Sequence, residues 1–263
     1  MSTLDAMTIA ALAEHIENAE LQRRAIPKIT DEYPDMDWDD AYAIQYAIRA
    51  RKLGRGHRLA GLKMGLTSRA KMKQMGVETP VYGFLADYMA QPDGAEIAID
   101  ALVHPRVEAE IAFVTKAELK GPGCHIGTVL AATDFVIPAV EVIDSRYENF
   151  RFDLKSVIAD NTSSARFVCG GRIAAPAAVD VRNLGVVMEK NGEVVETGAG
   201  AAVLGHPAAS VAMLANMLGA RGESIPAGTF IMTGGITAAV AVARGDAITV
   251  RYQDLGSVSM HFV

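Results

Sequence analysis

Residues 103–114 read VHPRVEAEIAFV and set Glu108 and Glu110 two apart inside a run that otherwise has the texture of a buried strand. Side chains alternate between the faces of a strand. A strand over 107–114 therefore turns Val107, Ala109, Ile111 and Phe113 one way and Glu108, Glu110 and Ala112 the other. An edge strand with a solvated polar face gives the same pattern. A second apolar run, DFVIPAVEVID at 134–144, carries a third carboxylate, Glu141. A lone charge there is costly unless it is paired or bound to metal. Together the three suggest a hard divalent cation. Carboxylate ligands without Cys or His favour Mg2+ or Mn2+ over zinc or copper, and three of them leave coordination positions open for water or substrate.

Outward from these two runs the chain divides by texture. Beyond Leu59, short β-like runs alternate with Gly, Pro and Asn, with a few helical inserts. LGVVMEKNGEVVETG, 184–198, predicts a hairpin in which Asn191 and Gly192 supply the positive φ values of a two-residue type I′ turn. GHPAASVAMLANMLGARG, 205–222, predicts a helix with Pro207 in its first turn and Gly219 near its end. Three or four strands are expected to close the chain. Before Leu59, Ile9, Leu12, Ile16 and Leu21 recur at helical spacing and predict an amphipathic helix from Thr8 to about Ala25. Ala41, Ile44 and Ile48 predict a second, capped by Asp39 or Asp40 and ended by Gly54. Residues 1–55 thus read as a helical layer and 56–263 as the β-rich core of a single α+β catalytic unit, with no internal repeat and no linker that would divide it.

Half of the 263 residues are hydrophobic, enough for a substantial core. Lys and Arg total 25 against 31 Asp and Glu, and no basic run interleaved with aromatics occurs, so nucleic acid is not an expected partner. Long apolar segments such as GTVLAATDFVIPAVEVI are broken by Asp134, Pro138 and Glu141 and fall short of the roughly 20 residues a bilayer requires, so no membrane span is expected. The N-terminus carries early acidic residues and helical spacing, unlike a signal peptide, and a cytoplasmic location is expected. Cys124 and Cys169 are too few for a disulfide framework and lack zinc-ligand spacing; both read as ordinary thiols. His125 and His206 have neither an i,i+4 partner nor a nearby acidic orienter, and read as structural.

HPRVEAEIAFV, ATDFVIPAVEVIDSRYENFRFD and ADNTSSARFVCGG resemble the fumarylacetoacetate hydrolase superfamily, in its hydratase/decarboxylase branch. GLKMGLTSRAKMKQMGVETPVYGFLADYM, VLGHPAASVAMLANML, AGTFIMTGGITAAV and the closing LGSVSMHFV are similar to that branch in the same order, so the likeness covers essentially the whole chain. The resemblance implies a mixed β-roll or sandwich core with N-terminal helices, and a metal held by Glu108, Glu110 and Glu141. It implies 2-oxo acid substrates whose C1 carboxylate and C2 oxygen chelate that metal. The implied activity is decarboxylation of 2-oxohex-3-enedioate in aromatic meta-cleavage catabolism, in a homo-oligomer associated with a 2-hydroxypentadienoate hydratase. Hydration of 2-hydroxypenta-2,4-dienoate on a similar frame, or a non-catalytic metal-supported partner subunit, are the alternatives.

Further residues follow from this pattern. Lys63, in AGLKMGLTS, stands between apolar residues and glycines; a lysine snorkelling to the surface fits that context, and the resemblance favours an active-site cation acting on the substrate carboxylate or the developing enolate. Asp87, in YGFLADYM, suits either proton handling or turn capping. DSRYENFRFDLKSVIADNTSSARFV is dense in polar groups between two apolar strands and reads as a substrate-facing loop. Arg146 or Arg151 would hold the distal carboxylate, and Asn161 and Ser163 would hydrogen-bond substrate oxygens; surface salt bridges to Glu148 and Asp153 are the competing account. In MTGGITAA, Thr233, Gly234 and Gly235 form a tight turn that either lets backbone approach a ligand or shapes a bulge.

Overall fold

The computed structural model describes residues 3–68, 72, 73, 77 and 79–263; part of the 61–89 stretch quoted above lies outside them. Two helices form the N-terminal layer. Helix α1 (Ala6–Gln22) starts at Asp5, whose carboxylate accepts the Thr8 N–H at 2.7 Å, and ends where Arg23 turns left-handed, a little upstream of the predicted span. Helix α2 (Trp38–Gly54) is capped by Asp37 and not by Asp39 or Asp40. Asp37 accepts the Asp40 N–H at 2.9 Å and Asp40 accepts the Asp37 N–H at 2.8 Å, a reciprocal box that places Asp40 inside the first turn. Leu12, Ile16, Ala41, Ile44 and Ile48 are buried as their periodicity predicts, but Ile9 is half-buried and Leu21, at the end of α1, is exposed. A half-buried polar knot locks this layer onto the sheet: Lys52 donates to Glu20 at 2.7 Å and to the Tyr88 hydroxyl at 2.8 Å, and Tyr88 donates to Glu20 at 2.6 Å.

An eight-stranded mixed sheet takes β1 (Leu59–Gly65), β2 (Val81–Ala86), β3 (Ala90–Gln91), β5 (Arg106–Thr115), β6 (Thr133–Ile143), β7 (Ser164–Cys169), β10 (Phe230–Met232) and β11 (Val240–Ala241). A five-stranded sheet takes β4 (Ala95–Ile97), β8 (Gly185–Lys190), β9 (Glu193–Ala199), β12 (Ala247–Tyr252) and β13 (Gly256–Phe262). The first sheet runs β2-β1-β10-β5-β6-β7-β3, with β11 also paired to β5; the second runs β4-β13-β12-β8-β9. Strand β5 is therefore interior, and from Val107 to Phe113 both of its faces are buried, which overturns the edge-strand alternative for Glu108 and Glu110. Short helices α3 (Ile126–Ala132) and α4 (Leu154–Ala159) and the longer α5 (Pro207–Gly219) fill the connections.

The C-terminal half follows the sequence closely. Asn191 and Gly192 take φ values of 56° and 84° between β8 and β9, the hairpin turn their identities predict. Pro207 opens α5. Segment 200–219 is apolar enough to pass as a membrane span, but α5 has 13 residues, about 20 Å at 1.5 Å per residue, and half of the segment is buried against the core.

Candidate metal centre and active site

Antiparallel pairing of β5 with β6 sets Glu108 directly opposite Glu141 and Glu110 opposite Ala139. All three glutamates face one way, and one oxygen from each lies within 4.8 Å of the others. They are 8%, 0% and 0% exposed for Glu108, Glu110 and Glu141. Like charges across a ladder repel, and burial strengthens the repulsion. Burial first, then the charge of Glu141, pushes Glu110 well above the usual carboxylate range, with Lys63 pulling it back. Burial likewise raises Glu141 against the pull of Lys63. Glu110 Oε2 accepts the Gly234 N–H at 2.7 Å, while Glu110 Oε1 has no hydrogen-bond partner among the described residues. Orphaned buried carboxylate oxygens, gathered without any Cys or His, fit a hard divalent cation.

Lys63 reaches this cluster because the sheet curls. In the flat sheet order, β1 is three strand spacings from β6, about 14 Å at 4.8 Å each. Yet Lys63 Nζ lies 2.9 Å from Glu141 Oε2, which only a rolled sheet allows. Register supplies the direction: Lys63 pairs with Met232 and Met232 with Ala112, so Lys63 shares the face of Glu110. Lys63 is 2% exposed, so it is no snorkelling surface lysine, and Nζ also donates to the Thr162 carbonyl at 3.1 Å. Behind these charges the roll is apolar, with Leu85, Ala112, Ala139, Phe167 and Met232 packed together.

The Thr162 carbonyl is presented by an unusual turn. Asn161, Thr162 and Ser163 have φ of 48°, 53° and 59°, three successive non-glycine residues in the left-handed region, each buried. Such a conformation costs about 1–2 kcal/mol per residue, so neighbours must hold it. The Asn161 carboxamide does so by bonding both the N–H and the carbonyl of Phe84, each at 2.9 Å, as an extra rung on β2. Gly83 makes room: a Cβ there would stand 2.7 Å from both Asn161 Oδ1 and Thr162 Oγ1. From the other side Arg146, 2% exposed, pairs with the Asp160 carboxylate and donates to the carbonyls of Asp144, Asp160 and Ser164.

Of the residues picked out in the sequence, the structure thus gathers Glu108, Glu110, Glu141, Lys63 and the Gly234 backbone, while Ser163, next to the Thr162 carbonyl that meets Lys63, is buried with no hydrogen-bond partner for its hydroxyl among the described residues. It sends others elsewhere. Arg146 and Asn161 hold the turn: four Arg146 N–H groups end on Asp160 and on the carbonyls of Asp144, Asp160 and Ser164, and the Asn161 carboxamide bonds Phe84. Arg151 is exposed beside a surface groove with Lys28, Asp31 and Glu148, apart from the carboxylates. Asp87 lies 3.3 Å from His57 and 3.7 Å from Arg58, and accepts the Tyr88 N–H at 2.9 Å. It stands four residues beyond Gly83, the partner of Lys63, about 13 Å along β2 at 3.3 Å per residue, so it caps a turn instead of handling protons. Thr233 donates its hydroxyl to the Ile111 carbonyl at 2.8 Å and is structural. His125 and His206 cap α3 and α5, their Nδ1 atoms accepting the N–H groups of Thr128 and Ala208. Thr67, which sequence reasoning passed over, is 1% exposed and its hydroxyl has no partner among the described residues; its place four residues after Lys63 was the available signal. A cavity of about 370 Å³ beside Tyr46, Arg49, Tyr82 and Phe84 meets β1 at Leu62, on the face opposite Lys63, and shares no residue with the carboxylates.

The rolled mixed sheet and its carboxylate cluster define the class: the chain belongs to the fumarylacetoacetate hydrolase family, whose model, described as fumarylacetoacetate (FAA) hydrolase C-terminal, matches residues 59–263. Within it, the chain is 70% identical over 261 residues to 4-oxalocrotonate decarboxylase of Pseudomonas putida, covering 99% of both proteins. It is similar across the full length of both chains, with a TM-score of 0.99 and 67% identity, to the solved 4-oxalocrotonate decarboxylase from Pseudomonas putida G7 complexed with magnesium and adipate. A 2-oxo-hept-4-ene-1,7-dioate hydratase of Escherichia coli is 39% identical over 265 residues, covering 98% of this chain and 99% of the hydratase.

Proposed function

We propose that the chain is a metal-dependent carboxy-lyase that converts 2-oxohex-3-enedioate (4-oxalocrotonate) to 2-hydroxypenta-2,4-dienoate, or its tautomer 2-oxopent-4-enoate, and CO2. Full-length identity of 70% to a decarboxylase, against 39% to a hydratase, is the observation that carries this assignment. Glu108, Glu110 and Glu141 would hold the ion, Mg2+ or Mn2+. When bound, such a cation supplies Lewis-acid stabilisation of the oxyanion that develops on C2 of the substrate.

The chain's own groups divide the remaining work. The C6 carboxylate departs from C5, its bonding electrons pass through the C3–C4 alkene, and charge gathers on the C2 oxygen. Lys63 donates one N–H to the Thr162 carbonyl and stands 2.9 Å from Glu141 as its counter-charge, so further N–H groups remain to meet that growing charge. Leu85, Phe167 and Met232 exclude water behind the reacting atoms and so strengthen each of these interactions. Ser163 Oγ, buried and without a hydrogen-bond partner among the described residues, would bond a substrate oxygen. The dienol product is unstable, so association with the hydratase that consumes it, within a cytoplasmic homo-oligomeric assembly, belongs to the same reading.

A dicarboxylate substrate does not by itself separate the two reactions, since the Escherichia coli hydratase is named for a diacid. The test therefore supplies the purified protein with Mg2+ and, separately, 2-oxohex-3-enedioate and 2-hydroxypenta-2,4-dienoate, following CO2 and ultraviolet absorbance. CO2 from the diacid, with slow use of the dienoate, is expected. Consumption of the dienoate alone, to 4-hydroxy-2-oxopentanoate, would replace the decarboxylase with the hydratase.

A further inference from the structure

Thr67 lies two residues beyond β1, is 1% exposed, and its Oγ1 has no hydrogen-bond partner among the described residues. Ser163 Oγ, 2% exposed, shares that condition. The other buried side-chain atoms so placed are oxygens of Glu110 and Glu141. Every such atom among the described residues thus belongs to the metal centre or to one of these two hydroxyls. Buried hydroxyls without partners are uncommon because nothing replaces the water they lose, and a group left so by the protein marks a place for something the protein binds.

The position of Thr67 is well fixed. Its carbonyl accepts the Leu204 N–H at 2.9 Å, and its hydroxyl packs on Gly234, where a Cβ would stand 2.1 Å from Oγ1. Gly234 in turn donates its N–H to Glu110 at 2.7 Å. Thr67 therefore approaches the carboxylates from the Gly234 side. Ser163 approaches from the side of Lys63, which bonds the adjoining Thr162 carbonyl. Arg146 is engaged by Asp160 and three carbonyls, and the remaining Lys63 donors face the C2 oxygen, so neutral hydroxyls are the donors available to the rest of an anionic head.

We propose that Thr67 Oγ1 contacts the substrate, donating a hydrogen bond to its 2-oxo acid head, the end nearest the carboxylates, while Ser163 serves it from the other side. The choice of substrate rests on the decarboxylase reading above. Thr67→Val replaces the hydroxyl by a methyl of the same shape, and Thr67→Ser keeps it. Each Mg2+-loaded protein is titrated calorimetrically with 2-oxobutanoate, which has the head alone, and with 2-oxoadipate, which adds a distal carboxylate. Melting midpoints and steady-state kinetics on 2-oxohex-3-enedioate are measured alongside. In Thr67→Val both Kd values should rise together by at least about tenfold, the effect of losing one hydrogen bond to a charged group. The midpoint should hold or rise, because no bond within the protein is lost, and Thr67→Ser should restore affinity. Unchanged Kd values, a loss confined to 2-oxoadipate, or a lower midpoint with normal binding would each overturn the proposal. If wild-type protein binds 2-oxobutanoate in a Thr67-dependent way but releases no CO2 from the diacid, the contact stands and the decarboxylase reading falls.

Discussion

Arg146→Met separates a structural arginine from a substrate-binding one. In the wild type, Arg146 pairs with the buried Asp160 carboxylate and donates to the carbonyls of Asp144, Asp160 and Ser164. Burial opposes charge on this guanidinium, but Asp160, Glu20 and Asp144 more than offset it and raise its pKa above the ordinary arginine value. Methionine fills much of the volume and leaves Asp160 without its counter-charge. Breaking a buried pair from one side costs about 3–5 kcal/mol, and a chain of this size loses about 2–4 °C of melting midpoint per kcal/mol. The expected fall is therefore about 6–20 °C, read by circular dichroism. The double variant Arg146→Met/Asp160→Leu should regain much of it, since an apolar pair can replace an ionic one at little cost. Turnover should fall in the single variant even below its transition, because the turn carrying the Thr162 carbonyl is no longer held. An unchanged midpoint together with a KM raised tenfold for the diacid would refute this and return Arg146 to the substrate.

Glu108→Gln, Glu110→Gln and Glu141→Gln should each weaken Mg2+ binding and activity together with the fold intact, and calorimetric affinities equal to wild type in all three would dismiss the metal centre. Lys63→Met should leave Mg2+ affinity within a few-fold and lower kcat by about 10²-fold, as for a lost oxyanion donor; wild-type kinetics would exclude Lys63 from the reaction. Glu20 supplies a pH test: burial raises its pKa, but Lys52, Arg146 and the Lys52 and Tyr88 hydrogen bonds overcome this and bring it to about 2, from 4.5. A depressed folded-state pKa gives stability that is present above pH 4.5 and lost as pH falls toward 2, amounting to about 3 kcal/mol at 1.36 kcal/mol per unit. Urea midpoints of Glu20→Gln should therefore fall less steeply than wild type below pH 4.5, and parallel slopes would contradict the assignment.

What the sequence disclosed and what it withheld divide along physical lines. Glu108, Glu110 and Glu141 stood out because carboxylates conflict with the apolar alternation around them, and register turned that conflict into a cluster. The Asn191–Gly192 turn and the start of α5 were legible because each depends on local backbone chemistry alone. Asp37 was missed as the cap of α2 because several aspartates in succession offer equivalent local chemistry and tertiary packing selects among them. The structural role of Arg146 went unread for a deeper reason. A polar loop residue looks alike whether its partner is a ligand or a carboxylate 14 positions on, and only the fold reveals Asp160. Thr67 was passed over because its one signal, a place four residues after Lys63, carries little weight until its burial and its lack of a partner among the described residues are known.

The placement of cations makes sense once charges at the centre are added. Glu108, Glu110 and Glu141 bring three negative charges when ionised and Lys63 one positive, leaving two that a single divalent ion matches. Without the ion, the burial that pushes Glu110 upward favours holding a proton there, so proton and metal compete for the same oxygens. A second unpaired guanidinium at this point would relieve that repulsion and weaken the demand for the metal. Arg146 is instead paired within the turn by Asp160. The protein thereby sets one lysine beside the carboxylates and gives Arg146 to the strained backbone, so that the charge of a bound cation would be left for the substrate oxygen.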